Sequence, residues 1–278
     1  MTKQERVRVA IKEVVSTMMD RVMEKVLIKD PFIKEKHHAA KPLYAALVPD
    51  EIFKGSHFER RFVTPFGSVW EKLAQVVATE AHGICIKGHL INGNIKSERL
   101  RRIQEVLNNL EHNTKTKQKT KPDWKSELAY ILKGGGNNIP ASVTCDIFIE
   151  NKETNTKYAF EMKGPLPNSD QTKVSKEKMF KLLAMSPKQV DYAYYALPYN
   201  PYGTKKEYNW GFPMRWFNMQ EDESVLIGNK FWELVGGKGT YRNFINEVNL
   251  LGKGYRDRIY REFLEIEPPI NSENTILK

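Results

Sequence analysis

Three side chains in the second half of the chain have the types and spacing of a metal-assisted hydrolytic site. They are Asp146 in "VTCDIFIE", and Glu161 and Lys163 in "KYAFEMKG". Both segments alternate with period two, as half-buried strands do. Between them "NKETNT" carries two Asn and no large apolar residue, which suits a turn. A hairpin symmetric about that turn sets Ile147 opposite Phe160 and Ile149 opposite Tyr158, an apolar face for a core, with Glu150 facing Lys157. On the other face Phe148 meets Ala159, Asp146 meets Glu161, and Thr144 meets Lys163. Opposed carboxylates with Cβ atoms about 5 Å apart repel unless something cationic lies between them. A hard divalent ion takes oxygen ligands of this kind. A lysine two residues along the same face can orient or activate a water. That chemistry suits a phosphodiester, because a bound metal polarises the phosphoryl oxygen, lowers the pKa of water and stabilises the leaving alkoxide. In a chain with 28% charged residues an acid, a spacer and a lysine recur by chance. The weight therefore rests on Asp146 and the register, not on "EMK" alone.

The elements that must position these residues can be read in outline. Helical spacing of Ile11, Val14, Val15, Met18, Val22 and Met23 predicts a long helix from Gln4 to Lys29, ended by Asp30-Pro31. A second helix is expected in "TPFGSVWEKLAQVVATEAHG", with Ser68 and Glu71 as a capping box and Gly83 as its stop. A third falls in "NGNIKSERLRRIQEVLNNLEHN". The lysine-rich "TKTKQKTKPDWK" reads as a solvated linker or a phosphate-touching loop. After the hairpin comes a helix in "SDQTKVSKEKMFKLLAMS", capped by Ser169 or Asp170, then a strand in "QVDYAYYALPYN" closing at Pro198. "NKFWELVGG" and the segment from Tyr241 onward supply C-terminal helices. Strands joined through a helix predict an α/β sheet with helices on its faces. One domain over 1–278 is expected, mainly helical over 1–110 and carrying hairpin, sheet and C-terminal helices over 123–278.

The 278 residues are 40% hydrophobic and carry a net charge of +10, a surplus that favours acidic partners, nucleic acid first. Two cysteines, Cys85 and Cys145, make neither a disulfide framework nor a metal site. No apolar run approaches the ~20 residues of a membrane span, and the N-terminus lacks the apolar core of a signal peptide. A cytoplasmic protein without a membrane partner is the expectation. On the helix after the hairpin, Lys173 and Lys176 share a spacing that could face phosphates, with Lys178 and Lys181 on the same helix. The aromatic stretch "PYNPYGTKKEYNWGFPMRWFNM" carries Lys205, Lys206 and Arg215. It is either a groove-reading loop or a packed loop with Trp210 and Trp216 as core.

Asp146 with "EMK" resembles the PD-(D/E)xK nuclease superfamily, with Cys145 where that motif often has proline. The segments "FERRFVTPFGSVWEKLAQVVA", "EMKGPLPNSDQTKVSKEKMFKLLA", "YYALPYNPYG" and "GNKFWELVGGKGTYRNFINEV" are similar to type II restriction endonucleases of the TdeIII kind. The resemblance implies a central mixed sheet flanked by helices, with an N-terminal helical region. It implies Asp146, Glu161 and Met162 as metal ligands, Lys163 as a catalytic group, and Glu71 as a further acid, with Glu80 the fallback. It also implies magnesium as cofactor, with manganese substituting, and a bacterial or archaeal homodimer that cuts duplex DNA at a short palindrome of the GGNCC type. A cognate DNA methyltransferase would accompany it. The alternatives are a structure-specific or repair nuclease of the same fold and a DNA-binding module without activity.

Overall fold

The computed structural model describes residues 1–112 and 120–269. Half of the lysine-rich stretch read as a linker or phosphate-touching loop, 114–119, lies outside the described residues. The chain gathers into two compact units, Ala74–Tyr241 and a second made of Met1–Leu73 with Arg242–Lys278. Both boundaries fall inside continuous helices, so no linker composition marks them.

The Met1–Leu73 unit is helical. Helix α1 (Lys3–Glu24) is started by a capping box in which Thr2 and Glu5 each satisfy the other's backbone N–H. It buries Val7, Ile11, Val15, Met18 and Val22, a stripe at three- and four-residue spacing, and a wider turn over Lys25–Lys29 continues it. Two short helices, α2 (Lys34–Ala40) and α3 (Pro42–Ala45), precede α4 (Asp50–His82). Helix α4 corrects the expected start at Ser68. It runs on through Pro65, and the Ser68 hydroxyl donates to the Pro65 carbonyl instead of capping an end. The reason is an aromatic ladder at four-residue spacing, with Phe58, Phe62, Phe66 and Trp70 in ring contact at 6.2, 5.1 and 5.1 Å. That stacking offsets the backbone bond Pro65 cannot make. Glu71 therefore lies inside a helix. From the C-terminal side the unit includes most of α10 (Thr240–Arg258) and a wider final turn, Ile259–Leu264. Trp70 packs on Phe244, and Arg8 pairs with Glu247 at 2.5 Å.

The Ala74–Tyr241 unit holds a five-stranded mixed sheet in the order β1-β2-β3-β4-β5. Strand β1 (Gly83–Lys96) falls in the part expected to be mainly helical; it runs antiparallel to β2 (Asn138–Asn151). The β2–β3 hairpin, with β3 at Thr156–Met162, has the expected register: Ile147 faces Phe160, Phe148 faces Ala159, Ile149 faces Tyr158 and Glu150 faces Lys157. Its turn is fixed by the Asn151 side chain, which accepts from the N–H groups of Glu153 and Thr154. Strands β4 (Tyr192–Leu197) and β5 (Val225–Ile227) continue the sheet in parallel.

Helices α5 (Ser97–Glu111), α6 (Trp124–Leu132) and α7 (Ser169–Ala184) close one core with the face that carries Phe148, Ala159, Ala193 and Tyr195. Asn168, not Ser169 or Asp170, caps α7 by accepting from the Gln171 N–H. A short turn of helix, α8 (Gly211–Met214), precedes α9 (Asn229–Gly236), whose Phe231 meets Phe160 at 5.9 Å. The stretch around α8 is a packed aromatic loop: Trp216 is buried, and the Trp210 indole donates to the Pro167 carbonyl.

Candidate active site

Asp146 sits where the sheet ladder is interrupted. On the β1 side, pairing runs through Lys87–Ile147 and resumes at His89–Cys145, passing over Gly88 opposite Asp146. Gly88 has φ +62°, open to glycine at no steric penalty, so the edge strand bends away beside Asp146. On the other side the β2–β3 ladder ends at Ile147–Phe160. Freed of regular pairing, Asp146 turns its carboxylate along β3, where Oδ2 accepts from the Met162 N–H at 2.7 Å and from Lys163 Nζ at 2.9 Å.

Lys163 ties the cluster together. Its ammonium also donates to the Met162 carbonyl at 2.8 Å and lies 3.8 Å from Glu161 Oε2. Both carboxylates and the lysine are thus on one face of the sheet. The Asp146 and Lys163 side chains keep about a fifth of their surface open, whereas that of Glu161 is only 2% exposed. Burial, reinforced by the Asp146 carboxylate, pushes the Glu161 carboxyl up to about 7; Lys178 and Lys163 pull it back down. Ser175 of α7 donates to Glu161 Oε2 at 3.4 Å, and Lys178 of the same helix places its ammonium 2.5 Å from Oε1.

The donor set suits a hard cation. Two carboxylates and the main-chain oxygen of Met162 gather around the Lys163 ammonium, with Lys178 also on Glu161, and all three are oxygen ligands of the kind magnesium takes with water completing its shell. Among the described residues no group of three or more His, Cys, Asp or Glu side chains is placed to hold a metal. Glu71 belongs to the Met1–Leu73 unit, and Glu80 is exposed two residues before the end of α4, within the Ala74–Tyr241 unit.

The expected phosphate-facing lysines turn out otherwise. Each α7 lysine is paired with a glutamate: Lys173 with Glu111, Lys176 with Glu127, Lys178 with Glu161 and Lys181 with Glu177. Lys176 is fully buried, donates to the Trp216 carbonyl and lies over the Phe180 and Phe217 rings. It cannot reach DNA in this fold. Lys205 is likewise turned inward, donating to the carbonyls of Asp222 and Val225 at 2.6 and 2.8 Å. Lys206 and Arg215 are exposed. Sequence reasoning missed the contact of Lys178 with Glu161. The signal was available in its position, one turn beyond Ser175 on the helix face that covers β3.

A mixed five-stranded sheet flanked by helices, with an N-terminal helical region, is the restriction-endonuclease-like α/β architecture. The chain belongs to the HinfI family of type II restriction endonucleases, whose model matches residues 7–252. As a member it is a hydrolase, a site-specific deoxyribonuclease acting on duplex DNA. It is 24% identical to the type II restriction enzyme HgiCII of Herpetosiphon aurantiacus over 229 residues, 81% of this chain and 82% of the relative. From the same organism, HgiBI is 22% and HgiEI 23% identical, each over 235 residues with the same coverage. Among the described residues no helix is long and apolar enough to cross a membrane.

Proposed function

We propose that the chain hydrolyses both strands of duplex DNA at a short palindromic site, of the GGNCC type, using a magnesium ion held by Asp146, Glu161 and the carbonyl of Met162. Manganese is expected to substitute. The observation that carries this reading is the single ammonium of Lys163, 2.9 Å from Asp146 and 3.8 Å from Glu161, which gathers two carboxylates onto one face at the end of β3.

When bound, the metal supplies Lewis-acid polarisation of the phosphoryl oxygen and a lowered pKa for water. The residues do the rest. Asp146 is held by the Met162 N–H and the Lys163 ammonium, both donating to its Oδ2. Lys163, partly open to solvent, is placed to orient the attacking water and to balance charge developing on the phosphate. Glu161, almost wholly buried, keeps a fixed carboxylate where solvent cannot compete for it. Exposed Lys206 and Arg215 remain candidates for DNA contacts, with Lys173 behind its ion pair to Glu111. A palindrome calls for a two-fold homodimer, and a cytoplasmic restriction enzyme calls for a DNA methyltransferase that protects the host.

Digestion of plasmid and phage DNA with and without EDTA tests the reading. Discrete magnesium-dependent fragments, absent with Asp146→Ala and Lys163→Ala, are expected. A smear lost in both variants would remove the palindrome and keep the site; discrete cutting that survives both substitutions would remove the site.

A further inference from the structure

Lys178 touches the candidate metal site, yet hydrolysis as derived above gives it no task. It enters from α7, not from the hairpin, and its ammonium stands on Oε1 of Glu161 while Lys163 and Ser175 approach Oε2. Glu161 is 2% exposed and Lys178 26%, so a partly solvated cation covers one oxygen of a buried carboxylate. With Asp146, Glu161, Lys163 and Lys178 all charged, the cluster is formally neutral before any metal arrives. A divalent ion would leave it with two surplus positive charges in a largely buried place.

We infer that Lys178 is a resident counter-ion which holds the metal's position on Glu161 in the metal-free enzyme, gives up that carboxylate oxygen when a divalent cation binds, and swings outward toward a DNA phosphate. The inference rests on reading Asp146 and Glu161 as the metal site. The long flexible stem of lysine permits the movement. The released ammonium restores balance only when a phosphate meets it, so metal and DNA strengthen each other's binding, and the coupling is reciprocal. Repulsion from Lys178 acts on both charges of a divalent ion, so removing it favours the ion even though the proton on Glu161 also gains.

The test is calcium binding to the DNA-free protein at pH 8.5, followed by titration calorimetry, for the wild type, Lys178→Met, Lys178→Arg and Asp146→Asn. Calcium serves as a hard oxygen-seeking probe. Lys178→Met should bind calcium about tenfold tighter and melt lower than the wild type in EDTA. Lys178→Arg should stay within about threefold of the wild type, since the charge is kept. Equal or weaker calcium binding by Lys178→Met overturns the inference. If the wild type binds no calcium, or Asp146→Asn binds it normally, the metal site itself is wrong and the inference goes with it. A second measurement needs no variant. Acetylation of Lys178 by an amine-reactive reagent, followed by mass spectrometry, should rise severalfold when calcium is added, and unchanged labelling would overturn the release of the ammonium.

Discussion

Replacing Glu161 with glutamine should stabilise the metal-free protein above pH 7 while abolishing cleavage. Burial and the adjoining Asp146 carboxylate raise this carboxyl from 4.5 to about 7. An acid raised by folding holds its proton in the native state after the unfolded chain has lost it. Its favourable contribution is therefore complete below about pH 4.5 and is lost as pH climbs to about 7. Above that, the native protein carries a buried carboxylate that the unfolded chain solvates better. The gap corresponds to about 3 kcal/mol, an upper figure because the lysines can adjust. Glutamine has the same shape and no charge at any pH, so it escapes the loss. The variant and the wild type should melt together at pH 5 in EDTA. By pH 8.5 the variant should melt roughly 6–12 °C higher, given the few degrees per kcal/mol typical of a unit this size. Differential scanning calorimetry across that range reads the divergence directly. A constant offset between the two proteins at every pH would refute the placement of Glu161 in a buried like-charge pair.

Other perturbations follow from the same geometry. Lys163→Ala should lower the cleavage rate on plasmid DNA by about 10²–10⁴-fold, the usual worth of a positioned proton-handling group, and Asp146→Ala should lower it at least as far. Lys176→Met should cost about 3 kcal/mol in chemical denaturation, because Glu127 is left without its buried partner, while DNA affinity of the folded protein is retained; a large loss of affinity instead would restore Lys176 as a DNA contact. The pair Lys206→Ala and Arg215→Ala should weaken DNA binding and flatten its salt dependence by about 0.9 for each phosphate contact removed, measured as the dissociation constant at several salt concentrations.

The hairpin and its three polar residues were legible because period-two alternation and an Asn-rich turn together leave one register that buries the apolar face. Strand β1 was not. Gly83 was read as a helix stop and "NGN" as the head of the third helix, yet Gly83 and Gly88 take positive φ at a strand start and at a bend, positions that only tertiary pairing defines. The start of α4 was misplaced because Pro65 is a strong local breaker, and the ring ladder that overrides it spans the residue from both sides. Lys176 was misread because the partner that permits its burial, Glu127, comes from a distant helix. Periodicity can assign a lysine to a helix face, but whether that face is wet depends on what packs there.

That last point changes what the basic composition means. A net charge of +10 suggests a surface prepared for phosphates, but much of the positive charge near the sheet is already committed. All four lysines of α7 face glutamates, and Lys205 is spent on two carbonyls. Charges compensated inside the fold release few counter-ions when DNA binds, so the salt dependence should be shallower than the overall surplus implies. They still add to the long-range field that draws DNA in. Of the four α7 pairs, three use glutamates with no other proposed role. Only the partner of Lys178 is a group that a metal ion would claim, so only there does filling the active site set a lysine free.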